Sequence, residues 1–136
     1  MNFEQMQNRI ASLCEANEIV YQFNDGKEPD GAWGSYYLRE IEIPPITDEC
    51  SYATALHEVG HILGRYQLSE VILVRERWAW KWAKRSALDW TGAMERRAER
   101  SLKYYEWNPR ARSGMQFEQI SPDDSQLAVG ESFSEG

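Results

Sequence analysis

Residues 54 to 64 read Thr-Ala-Leu-His-Glu-Val-Gly-His-Ile-Leu-Gly, and this stretch constrains the chain more than any other. His57 and His61 are four residues apart, so on a helix they lie one above the other on the same face. They are the only histidines in the 136-residue chain. Two imidazoles so placed can share one zinc ion, and Glu58 stands where a general base is needed for a water held by that ion. A shuffled sequence of this composition produces the His-Glu-x-x-His spacing of these three residues roughly twice in a thousand trials. The competing reading is a helix with two incidental histidines.

Helical periodicity supports the first reading. Tyr52, Ala55, Leu56, Val59, Ile62 and Leu63 gather on one side of the helix, and Cys50, Thr54, His57, His61 and Gly64 on the other. Histidines off the apolar face suit a cleft better than a core. Thr47 is the expected N-cap, Asp48 and Glu49 suit the first turn, and Gly64 suits the C-terminal stop. Pro44 and Pro45 mark the boundary before it.

A zinc site of this kind takes three protein ligands, and with no third histidine the last must be a carboxylate. A long helix is expected from about 69 to 88, with Glu76 in the middle of a stripe of Ile72, Leu73, Ala79, Trp80, Ala83 and Ala87. A lone carboxylate there is costly to bury without a partner. Glu76 is therefore the first candidate for the third ligand and Glu70 the second. Pairing of Glu76 with an arginine is the alternative. Val71, Val74, Trp78 and Trp82 form a second apolar face, which needs cover from the last helix or from a second copy of the chain.

Elsewhere, Phe3, Met6, Ile10 and Leu13 predict a first helix over residues 3 to 16. Ile19 to Phe23 reads as a strand ended by Asn24-Asp25-Gly26. A loop follows to residue 35, with Trp33 packed down as a plug. Residues 35 to 43 read as one edge strand, open either to solvent or to an added peptide strand. A last helix is expected over 92 to 106 on a stripe of Met94, Ala98, Leu102 and Tyr105. The domain is thus predicted to span 1 to 107, with 108 to 136 a mostly disordered tail.

With 42% hydrophobic residues, six of them tryptophan, the chain has the material for one modest core. No apolar run approaches the ~20 residues of a membrane span, and no signal peptide is evident, so a cytoplasmic location is expected. Cys14 and Cys50 are read as structural. The net charge of −7 hides a basic segment: Arg75, Arg77, Lys81, Lys84, Arg85, Arg96, Arg97, Arg100 and Lys103. It reads mainly as solvated helix surface, with a nucleic-acid or acidic partner as the rival reading.

His57-Glu58-Val59-Gly60-His61 followed by Glu76-Arg77-Trp78-Ala79 resembles the zincin metallopeptidases with a glutamate third ligand, in particular the small ImmA/IrrE-type proteins of bacteria, phages and mobile elements. Ile41 and Ile43 match the strand that precedes their metal helix, and the resemblance covers about residues 18 to 85. It implies a minimal α+β zincin: a small edge sheet packed on the HExxH helix and a second long helix, with a further C-terminal helix. It also implies Zn2+ held by His57, His61 and Glu76, Glu58 as catalytic base, and a protein or peptide substrate such as a regulator. The chain departs from the pattern in the short gap between His61 and Glu76 and in Trp80, which stands where a polar supporting residue is usual. It also lacks a further histidine for the oxyanion, leaving Tyr66, Tyr36 or Arg65. A metal-holding interaction protein and a nucleic-acid-associated factor are the other two functions open to this sequence, as monomer or homodimer.

Overall fold

The computed structural model describes residues 1–27 and 31–113. In chain order its elements are α1 (Phe3–Ala16), β1 (Val20–Phe23), β2 (Trp33–Ser35), β3 (Glu40–Ile43), α2 (Glu49–Leu63), α3 (Ile72–Ser86) and α4 (Gly92–Trp107). They make a small α+β fold in which α2 packs against the sheet and all three other helices.

α1 starts on a capping box in which Asn2 and Gln5 satisfy each other's backbone N–H, and it buries Met6, Ile10 and Cys14. The two orphan donors at the helix start are thereby both used. Arg9 donates to the Ser86 carbonyl at 2.9 Å and so fastens α1 to the end of α3. Cys14 is a free thiol whose pKa burial pushes up to about 11, as befits an inert core residue. Cys50 is free as well.

The sheet has the order β1-β3-β2, with β1 parallel to β3 and β2 antiparallel to it. The single strand expected over 35 to 43 is instead a hairpin. Tyr36 to Arg39 form its turn, in which the Ser35 hydroxyl accepts from the Leu38 N–H at 3.2 Å and Arg39 takes a φ of 51°. Arg39 is held in this left-handed conformation by its guanidinium, which donates to the Asn17 carbonyl at 2.6 Å. β3 is consequently the middle strand and not an edge. Ile41 and Ile43 point into the core as expected and are fully buried. Trp33 is not a plug: it lies in β2 opposite Glu42 and is 40% exposed.

α2 is capped by Asp48 and not by Thr47. The Asp48 carboxylate accepts from the Ser51 N–H at 2.7 Å, and the Ser51 hydroxyl binds the Asp48 N–H in return. α3 is shorter than its pattern, because Ser69 and Arg75 hold the preceding segment in turns and Val71 serves as cap. Its second apolar face, Val71, Val74 and Trp78, is covered by Tyr66 and by Tyr105 of α4. Trp82 lies against the main core.

The described residues continue past 107. Residues 108–113 turn back, Ala111 is buried, and its carbonyl accepts from the Leu73 N–H at 2.8 Å. That bond satisfies one of the free donors at the start of α3. The remainder of the expected tail, 114–136, lies outside the described residues. Among the described residues, no helix is long and apolar enough to cross a membrane.

Candidate metal centre

The site forms where α2 and α3 cross. Gly60 makes the crossing close: a Cβ there would come within 2.5 Å of the Ala79 carbonyl oxygen. The Gly inside the His-Glu-Val-Gly-His run is therefore a contact point for the second helix. Ala79 is one turn after Glu76, so the close approach carries the Glu76 carboxylate to the two histidines. On the opposite side, a Cβ on Gly34 would come within 2.7 Å of the Glu58 carbonyl oxygen, and β2 lies directly against the same helix.

His57, His61 and Glu76 form the one group of potential metal ligands among the described residues. His57 Nε2 lies 3.0 Å from Glu76 Oε1, and His61 Nε2 lies 2.9 Å from Glu76 Oε2. The two Nε2 atoms are 3.1 Å apart. A zinc ion about 2.0–2.1 Å from three tetrahedrally disposed donors holds them roughly 3.3 Å apart, so the triad is within a few tenths of an ångström of that shape. Glu76 Oε1 is buried and, although close to His57, has no hydrogen bond of proper geometry. A cation would supply its partner. The group fits a divalent metal ion on these grounds.

Electrostatics agree with this arrangement. Burial by itself would raise the Glu76 pKa, but the two histidines outweigh it and hold the carboxyl down at about 2. Burial would lower His61, but its bond to Glu76 outweighs that and raises the imidazole to about 9. Glu58 is buried, which raises its pKa, partly opposed by the two histidines. It stands beside the candidate ligand triad and not in it, and a raised carboxyl pKa is what a base working near neutral pH requires. Glu70, the second candidate, is exposed ahead of α3.

The supporting contacts of the two histidines differ. His61 Nδ1 lies 2.9 Å from Gln67 Oε1, and the Gln67 amide donates to the Arg65 and Arg75 carbonyls. Gln67 thus fixes the His61 ring with Nε2 toward Glu76. His57 is held by stacking on Trp80, with ring centroids 4.1 Å apart and planes 20° from parallel. Its Nδ1 is buried without a partner.

A cavity of about 540 Å³ opens on His57, Glu58 and Glu76 and is walled by Ala32 and by α4, including Arg97, Arg100 and Tyr104. A second, of about 260 Å³, reaches His61 between the Tyr36–Tyr37 turn and Gln67. Of the oxyanion candidates, only Tyr36 lines either space. Tyr66 packs edge-on against Trp78, and Arg65 borders a separate depression with Lys81 and Trp82.

Compared with protein-family models, with curated proteins and with solved structures, the chain matches none.

The centre therefore stands on its own geometry. Sequence reading reached His57, Glu58, His61 and Glu76 but missed Gln67 and Arg97. For Gln67 the only available signal was a polar residue in the short link between the two helices that carry the candidate ligands. The basic segment from 75 to 103 also proves not to be one surface. Arg77 pairs with Glu106, Lys84 with Glu95, and Lys81 lies over the Trp78 ring, whereas Arg97 and Arg100 turn to the cavity.

Proposed function

We propose that this protein is a zinc-dependent peptidase of the ImmA/IrrE-like kind, acting in the cytoplasm on a peptide bond of a protein substrate. The observation that carries the reading is the convergence of His57, His61 and Glu76 within hydrogen-bond distance of one another, with buried Glu58 lining the cavity beside them. Zinc, when bound, supplies a Lewis acid and lowers the pKa of water toward about 7.

The chain's own residues do the rest. His57, His61 and Glu76 hold the ion. Glu58 accepts the proton of the water that attacks the peptide carbonyl and returns it to the leaving amine. β2, the outer strand beside α2, pairs on one side with no strand among the described residues, and there it offers backbone groups to which an extended substrate adds as a further strand. Tyr36, in the turn at its end, lines the space on the His61 side and is placed to help the developing oxyanion.

A second reading, a metal-holding interaction protein without turnover, draws on one observation. His57 lacks a polar partner on Nδ1 and leans on Trp80, an arrangement that holds a ligand in place without raising its basicity. The experiment that tests the proposal is incubation of the zinc-loaded protein with a peptide library. Cleavage that stops with a chelator and returns with added zinc supports the peptidase, and the absence of cleavage from a fully loaded protein favours the second reading.

A further inference from the structure

The wall of the larger cavity opposite Glu58 is basic. Arg97, Arg100, Ser101 and Tyr104 line it. Their spacings of three and four residues put them on one strip of α4, next to the strip of Met94 and Ala98 that is buried in the core. Arg97 is half-buried, and its guanidinium carbon lies 5.7 Å from the Trp80 ring centroid. Trp80 is itself stacked on His57. This chain of ring contacts ties the position of Arg97 to that of a metal ligand. A cation–π contact occupies the face of a guanidinium and leaves its in-plane N–H donors for another partner.

Neither Arg97 nor Arg100 forms an ion pair among the described residues, unlike Arg77 and Lys84 on the neighbouring surface. Charge within the cavity points the same way. Burial raises the Glu58 pKa and the charge of Arg97 acts to lower it, yet Arg97 and Glu58 form no ion pair, and Arg100 lines the same cavity. A chain with a net charge of −7 thus turns a basic wall toward its candidate centre. A partly enclosed, unpaired pair of arginines attracts an anion and binds it with charge-assisted hydrogen bonds.

We infer that Arg97 and Arg100 form a carboxylate-binding subsite, so that the peptide cut at this centre carries an acidic side chain or its own terminal carboxylate in the same cavity as the bond to be cleaved. The inference rests on the peptidase reading, because in a peptide these two groups are the available anions. It makes Arg97 and Arg100 determinants of specificity, while Glu58 and the triad remain the reacting machinery.

The test measures binding as well as turnover. Zinc-loaded Glu58→Gln protein is titrated, by tryptophan fluorescence and calorimetry, with three N-acetylated tripeptides: acetyl-Ala-Glu-Ala-amide, acetyl-Ala-Gln-Ala-amide, and acetyl-Ala-Gln-Ala with a free carboxylate. At least one carboxylate probe is expected to bind about tenfold more tightly than the neutral one, and which one identifies the source of the anion. Adding Arg97→Gln together with Arg100→Gln should remove the preference at unchanged zinc content. Arg100→Gln alone, a change at an exposed position, should reduce it while leaving the melting temperature in place.

Equal binding of all three probes overturns the inference. So does a preference that persists in the double variant, which would mean that the metal itself takes the carboxylate. The parent protein separates this from the proposed activity. Cleavage of library peptides without any acidic preference keeps the peptidase and removes the subsite. An arginine-dependent preference with no cleavage by the parent keeps the anion site and removes the peptidase.

Discussion

A Cβ placed on Gly60 would lie 2.5 Å from the carbonyl oxygen of Ala79, nearer than side-chain carbons come to such an atom. The close approach of α2 and α3, and with it the reach of Glu76 to the histidines, depends on this contact. Helix propensity favours Gly60→Ala by about 1 kcal/mol. Crowding against a backbone that cannot swing away costs about 1–3 kcal/mol, and here the upper end applies. Net destabilisation of about 1–2 kcal/mol, a fall of roughly 4–8 °C in melting temperature, is expected together with weakened zinc binding. Thermal melting and metal titration check both, and an Ala variant that melts higher and binds zinc normally would show the crossing to be slack.

Gln67→Ala should weaken zinc binding by about 10–100-fold, because Gln67 is the group that orients His61. The same change leaves the Arg65 and Arg75 carbonyls short of a donor, so a loss of about 1–3 kcal/mol in stability accompanies it. Competition with a calibrated chelator on the folded variant isolates the affinity. Unchanged affinity would mean that the His61 ring needs no such support.

Zinc binding should strengthen with pH until His61 is neutral. In the metal-free protein Glu76 outweighs burial and raises His61 from 6.5 to about 9. This folded-state rise stabilises the metal-free fold fully below pH 6.5, and the contribution disappears as pH climbs through about 9. Glu76 is lowered to about 2, so its contribution is present above 4.5 and is lost as pH falls through about 2. Zinc requires the neutral imidazole and expels the proton. The gap between the melting temperatures of zinc-loaded and metal-free protein should therefore widen from about pH 6.5 to about pH 9, and a constant or narrowing gap would contradict the assignment of His61 as ligand.

A chain ending at Trp107 should melt lower than one ending at Ser113. The shorter chain loses the buried Ala111 and the bond from the Leu73 N–H to its carbonyl. Together these are worth about 1–2 kcal/mol, or roughly 4–8 °C. Equal melting of the two would show that the turn after α4 adds nothing to the fold.

The parts legible in the sequence were those written in helical periodicity. α2 could be read from its apolar face and its flanking prolines, and Glu76 from the cost of burying a carboxylate in an alanine-lined stripe. What was lost involved local polar chemistry. Residues 35 to 43 alternate like a strand, and nothing in Tyr36-Tyr37-Leu38-Arg39 carries a Gly, Pro or Asn turn signal. The turn is made by the Ser35 hydroxyl and by a long-range bond from Arg39 to Asn17, which no local pattern reveals. Thr47 and Asp48 are both good caps, and the reciprocal bond of Asp48 with Ser51 decided between them. Gln67 and Arg97 acquire their roles from tertiary placement, Gln67 from a tight link between helices and Arg97 from the docking of α4 over Trp80.

The most direct test of the central claim compares Glu58→Gln with Glu76→Gln, measuring zinc content and peptide turnover beside the parent. Glu58 lies next to the ligating atoms without joining them, so Glu58→Gln should keep zinc while turnover falls about 10²–10⁴-fold for want of a proton acceptor. Glu76→Gln replaces a charged ligand with a poor neutral one and should lose zinc and turnover together. Equal zinc loss in both variants, or undiminished turnover in Glu58→Gln, would contradict the assignment of roles at this centre.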